Sequence, residues 1–261
     1  MKGYRIRAII RRHLYLYQRS IPRLAEVFFW PVLDLFVWGF VTLYLRQFPI
    51  PRFVEFLLGA LILWDILFRA QQGISVSFLE EIWSRNLPNL FVSPLRPSEF
   101  LVGLMSVSIV KVVLAGGVGA LLAWVFYSYN LFALGLALIP FVINLTAMGW
   151  SIGIVTMATI LRYGQEAEMM AWGLAFLVQP FSAVFYPVSV LPSWLQPIAL
   201  LMPASHVFEG MRAVIETGAI PLDRLGIAIG LNLLYFALAV LLFFRSLQAA
   251  RKRGLILRIG T

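Results

Sequence analysis

FLVGLMSVSIVKVVLAGGVGALLAWVFY, Phe100 to Tyr127, decides the fold, because these 28 consecutive residues carry a single charge, Lys111. As a helix rising 1.5 Å per residue the stretch reaches about 42 Å, more than the ~30 Å hydrocarbon core of a bilayer. A barrel strand would need only about 10 residues of alternating polarity, and no such alternation is present. In lipid each backbone amide and carbonyl must find its partner inside the protein, so the stretch is read as a spanning helix. The same reading applies to Leu24–Leu45, Phe53–Gln72, Phe132–Leu161, Met169–Val190 and Leu222–Phe244. The expectation is an all-α polytopic membrane protein with six transmembrane helices, forming one domain over residues 1–261. Composition agrees: 61% of residues are hydrophobic, mean hydropathy is +0.87, and 13% are charged, against about 25% in soluble domains.

Orientation follows from Lys and Arg. With the N-terminus inside, the inner segments hold 16 of them, among them Arg258, and the outer ones only Arg46, Arg52, Arg212 and Arg224. Both termini are therefore expected in the cytoplasm, with the protein in the cell (inner) membrane. The net charge of +9 reads as topology and attraction to anionic membrane lipid, not as a nucleic-acid surface. Residues 1–23 interleave apolar residues with arginines, so they are read as a retained interfacial helix and not as a cleavable signal. At 100° per residue Ile6, Ile10, Tyr17 and Ile21 share one side and Arg5, Arg12 and Arg19 another, placing the arginines among headgroups.

Two segments break the apolar pattern. Residues 73–99 include FLEEIWSRNLPNLFVSPLRPSE, Phe78 to Glu99, which reads as a short cytoplasmic helix with an acidic start, broken at Pro88, and a Pro94/Pro97 turn. Residues 191–221 are too interrupted by Pro192, Pro197 and Pro203 to span as one helix, yet too apolar for an open loop. A pair of short helices dipping into the outer leaflet satisfies both constraints.

Several chemistries are absent or improbable. No Gly-Lys pair occurs anywhere, so the G-x-x-x-x-G-K-[ST] phosphate loop is missing and the chain is not expected to act as an enzyme on ATP. With no cysteine and only His13 and His206, no metal site is expected. Gly149-Trp150-Ser151-Ile152-Gly153 matches G-x-S-x-G, but it lies within an apolar span far from His206 and reads better as small residues for helix packing. Asp34 and Lys111 fall near one midplane depth and could pair, with Asp65 as a competing partner. The alternative function, an ion-driven secondary transporter, would use Asp34, Asp65 and Lys111 as coupling groups, but inverted repeats are not found.

Three features together resemble the permease subunits of type-2 ABC exporters of the drug, lipid and polysaccharide group. They are the basic amphipathic start, the segment EEIWSRNLPNLFVSPLRPSEF, and FYPVSVLPSWLQPIALLMPASHVFEGMR from Phe185 to Arg212. The resemblance implies an exporter of an amphipathic, lipid-linked or glycan- or drug-like substrate. Its partners would be an ATP-binding cassette ATPase subunit, which binds ATP and Mg, and a second permease copy or paralogue; no cofactor would sit on this chain. By position, Glu80, Glu81, Ile82, Trp83, Ser84 and Arg85 would form the helix that couples to the ATPase. Pro187 and Pro192 would belong to the outer re-entrant hairpin, closed by Glu209 and Arg212.

Overall fold

The computed structural model describes residues 1–45 and 52–253; Arg46 and Arg258 of the charge count lie outside them. Among the described residues ten α-helices occur in chain order: α1 Gly3–Gln18, α2 Ile21–Leu45, α3 Phe53–Trp83, α4 Leu87–Val92, α5 Pro97–Tyr127, α6 Leu138–Tyr163, α7 Met169–Val178, α8 Gln196–Leu200, α9 Pro203–Thr217 and α10 Leu222–Lys252. Short 3-10 turns connect some of them, and no strand occurs among the described residues. Four stretches are long and apolar enough to cross a membrane: Phe28–Leu45, Pro97–Tyr127, Leu131–Tyr163 and Leu222–Lys252. The remaining two of the six expected spans differ from these four. The α3 helix is long but carries Asp65, Arg69, Gln71 and Gln72 in its middle, and the apolar helix beginning at Met169 reaches only Ser182.

Two boundaries depart from the sequence expectation. The second apolar stretch does not stop at Gln72: α3 runs unbroken to Trp83, because no proline interrupts residues 52–87 and Gly73 lets α5 approach closely. A Cβ at Gly73 would fall 2.6 Å from the Ser108 Cα. Glu80 to Trp83 are therefore the last turn of a 31-residue helix, not a separate short one. The fifth stretch ends early instead of continuing to Val190. Pro180 follows α7 within a 3-10 turn, and Ala183 takes a left-handed conformation (φ 51°) that a helix cannot pass through.

The centre of the bundle is α6, packed between α3 and α10. Glycine makes the first contact possible: a Cβ at Gly149 would lie 2.4 Å from the Leu67 carbonyl oxygen and one at Gly153 2.8 Å from that of Gln71. These are the two glycines of the G-x-S-x-G match, and Ser151 Oγ only donates back to the Ala147 carbonyl. The motif is a helix-packing device. On the other side, Asn232 of α10 donates to both the side chain (2.9 Å) and the backbone carbonyl (3.0 Å) of Asn144 in α6. One apolar cluster, around Phe141, Phe208 and Leu225, fills the end near α9; a second, around Ile9, Phe78, Phe100 and Phe243, fills the end that carries α1.

The α1 helix is docked on protein more than the amphipathic pattern anticipates. Ile9 and His13 are the buried positions, whereas Ile21 is exposed. Ile9 fits into the space left by Gly103 of α5. Arg5 and Arg12 face carboxylates of the bundle instead of headgroups. Sequence periodicity located an apolar side but could not foresee that acidic residues on α3 and α5 rotate the helix toward them.

Candidate functional site

At the α1 end, the segment expected to couple is divided into a buried half and an exposed half. Glu80, Glu81 and Ile82 are buried; Trp83, Ser84 and Arg85 are exposed. Burying two carboxylates requires partners, and α1 supplies them. Arg12 meets Glu81 through Nε at 2.7 Å and Nη2 at 2.8 Å, a bidentate pair. His13, fully buried, places one ring nitrogen 3.4 Å from Glu80 and the other 3.4 Å from Glu81. Asn86 donates to Glu81 at 2.6 Å, and Arg23 approaches Glu80 at 3.6 Å. Burial alone would raise the Glu80 carboxyl, but His13 and the charges of Lys111 and Arg23 outweigh it and hold the group below its usual range.

A second tie lies about two turns earlier on α1. Glu99 accepts from the backbone amides of Lys2 (2.7 Å) and Arg96 (3.0 Å) and pairs with Arg5 at 3.3 Å. The residue caps α5 and holds α1 at once, a role the sequence reading missed, although Pro97 followed by an acid two positions on is a helix-start signal.

These ion pairs brace a projecting surface. Beyond Glu81 the chain turns through Arg85, whose φ is 51°, into α4. Trp83 is 47% exposed and its indole touches Glu168, between α6 and α7, at 3.3 Å. Asn89 and Val92 of α4 are exposed beside it, while Leu87 is anchored in the apolar cluster. Of the coupling segment expected at Glu80–Arg85, Trp83, Ser84 and Arg85 are exposed, and Asn89, Val92, Ser93 and Pro94 are exposed further along the chain.

The ionisable groups within the bundle do not converge as the Asp34–Lys111 pairing anticipates. Lys111 Nζ lies 3.4 Å from Ser77 Oγ and 4.6 Å from the centre of the Tyr17 ring. Asp65 pairs with Arg69, one turn on, at 3.1 Å. Asp34 makes neither an ion pair nor a hydrogen bond with Lys111. Position along each helix is legible in the sequence, but the azimuth of each side chain is not. Asp34, Asp65 and Arg69 instead line a cavity of about 200 Å³ between α2, α3, α5 and α7.

At the opposite end, Arg212 donates to the carbonyls of Ala183 (2.5 Å) and Val184 (2.8 Å) and pairs with Glu209 at 3.3 Å. Glu209 accepts from the Val188 amide at 2.8 Å and is approached by Arg224 at 3.5 Å. Pro187 precedes the 188–190 turn, and the Pro192 carbonyl accepts from Leu195 and Gln196. Arg52 donates to the carbonyls of Ile215 and Glu216. Glu209 and Arg212 thus fasten α9 to the chain that follows α7.

Comparison with known proteins supplies a family. The family model described as ABC-2 type transporter matches residues 4–215. A relative from Dictyostelium discoideum, ABC transporter G family member 20, is 26% identical over 176 residues. That alignment covers 65% of this chain and 23% of the relative, so the chain corresponds to under a quarter of that protein's length.

Proposed function

This chain belongs to the ABC-2 type transporter family, and we propose that it is the membrane-spanning subunit of an exporter driven by an ATP-binding cassette ATPase on a separate polypeptide. The observation that carries the coupling is the braced projection at the α1 end: an exposed Trp83, Ser84, Arg85 and α4 standing on buried ion pairs to α1. A surface that transmits force must not yield when pushed. Separating α1 from the end of α3 would leave two buried carboxylates without their partners, which is strongly unfavourable. Trp83 has the character of an interface anchor, with Arg85 and Asn89 as polar surroundings.

In the same reading α2, α3, α5, α6, α7 and α10 are the six spans, the α1 end faces the cytoplasm, and α8 and α9 form the outer re-entrant hairpin. The 16-to-4 partition of Lys and Arg supports that orientation. The broken backbone from Ala183 to Val188 is met by Arg212 and Glu209, which is the condition for irregular chain at membrane depth. Exposed apolar side chains along α2, α5 and α10 leave room for lipid and for a second copy. Cargo would be an amphipathic molecule, since the interior presents aromatic walls and few charges.

The test is affinity purification of the full chain from its native membrane. An ATPase carrying G-x-x-x-x-G-K-[ST] should accompany it, and the reconstituted pair should hydrolyse ATP in proteoliposomes. A chain recovered intact without such a partner, and without ATP-dependent movement of any cargo, would overturn the reading.

A further inference from the structure

The geometry points to the cavity between α2, α3, α5 and α7 as a binding site for an amphipathic organic cation, with Asp34 as its counter-charge. It rests on the transport reading only in treating the bound cation as cargo. Three observations lead there. The first is charge: Asp65 and Arg69 close on each other at 3.1 Å, whereas Asp34, at the cavity rim, has no ion-pair or hydrogen-bond partner among the described residues. It is also the only charged residue of Phe28–Leu45, an otherwise apolar window. The cavity therefore holds one carboxylate more than it holds cations, in a setting where an uncompensated charge is among the least tolerated of groups.

The second is the wall. Trp30, Trp64 and Trp172, with Phe176, line the same cavity as the Asp34 carboxylate. Indole faces are the strongest of the aromatic cation acceptors, and aromatic cages around quaternary ammonium groups use the same chemistry. Pro31 lies beside Asp34 in the same wall and removes one amide from the α2 ladder there. The third is Gln72, 5% exposed, whose amide Nε2 has no hydrogen-bond partner among the described residues although the residue lines the cavity. Such a buried amide is rare unless something else meets it, and a carbonyl or hydroxyl on a ligand would do so. At about 200 Å³ the space takes a cationic head with a ring or two, leaving the rest of a larger molecule to extend past Asp34. A neutral glycan could stack on the indoles but would leave the carboxylate unpaired, so a cation is the better match.

Equilibrium dialysis of the full chain in nanodiscs of zwitterionic lipid tests this, with radiolabelled trimethyl(4-phenylbutyl)ammonium as the probe. Competitors are its uncharged isostere, with carbon in place of nitrogen, and a phenylbutyl glucoside. The wild type should bind the probe saturably, and neither competitor should displace it at tenfold excess. Asp34→Asn should weaken binding at least tenfold, while Asp34→Glu, which keeps the charge, should retain most of it. Both variants are compared only as monodisperse protein. Absence of saturable binding to the wild type, wild-type affinity in Asp34→Asn, or equal displacement by the isostere or the glucoside would each overturn the proposal. None of these results depends on ATPase association, so failure here leaves the coupling reading standing and the converse also holds.

Discussion

Separating Arg12 from Glu81 should loosen α1 from the end of α3 by a measurable amount. The pair consists of two charge-assisted hydrogen bonds, 2.7 and 2.8 Å long, between a carboxylate with no exposed side-chain surface and a guanidinium one third exposed. Bonds to charged groups contribute about 1.5–3 kcal/mol each, and breaking a buried pair costs about 3–5 kcal/mol. Exposure of Arg12 reduces this, and Asn86 at 2.6 Å remains on Glu81, so Arg12→Ala should cost about 2–3 kcal/mol. At about 2–4 °C per kcal/mol for a chain of this size, Tm in detergent should fall by roughly 5–10 °C. Glu81→Gln should cost a similar amount because it strands Arg12 and His13. The double variant Arg12→Met/Glu81→Gln removes both charges and should be milder than the sum of the single losses by at least about 1 kcal/mol. Hydrogen exchange of the α1 amides should rise in the single variants before that of α6. Strictly additive Tm losses, or α1 exchange unchanged in Arg12→Ala, would refute the claim that this pair is what braces the projection.

Glu99→Gln weakens the acceptor shared by the Lys2 and Arg96 amides and the partner of Arg5, so Tm should fall and exchange of the α1 amides should rise; wild-type values for both would contradict the assignment. Gly149→Ala drives a methyl to 2.4 Å from the Leu67 carbonyl and should lower stability by about 1–3 kcal/mol. Gly117→Ala, where a Cβ meets nothing within 4 Å, should be neutral or slightly stabilising, and equal Tm for the two variants would remove the close α3–α6 contact from the account.

The helical architecture was legible because length and uniform apolarity are properties of consecutive residues: Phe100–Tyr127 could only be one helix, and it is the body of α5. Prolines likewise marked the broken region where α8 and α9 form. What was not legible depends on neighbours distant in sequence. Whether Glu80 and Glu81 face water or protein is decided by Arg12 and His13, nearly seventy residues away, and no local pattern encodes that. Asp34 and Lys111 lie at matching distances into their apolar stretches, but Lys111 meets Ser77 and the Tyr17 ring whereas Asp34 lines the cavity beside Asp65 and Arg69. The exposure of Asn89 and Val92, within the segment 73–99, was not legible because a six-residue helix is too short to show a periodicity.

The central claim, that the projection at the α1 end is where an ATPase docks, is tested most directly by recovery of that ATPase with three forms of the chain: wild type, Trp83→Ala and Trp194→Ala. Trp83 and Trp194 are both exposed, at 47% and 70%, but they stand on opposite ends of the bundle. An aromatic anchor in a desolvated pocket contributes about 2 kcal/mol or more, so Trp83→Ala should weaken association about 30-fold while the chain still inserts and purifies as a monodisperse protein. Trp194→Ala should bind as the wild type does. Equal recovery of the ATPase by all three forms would contradict the account.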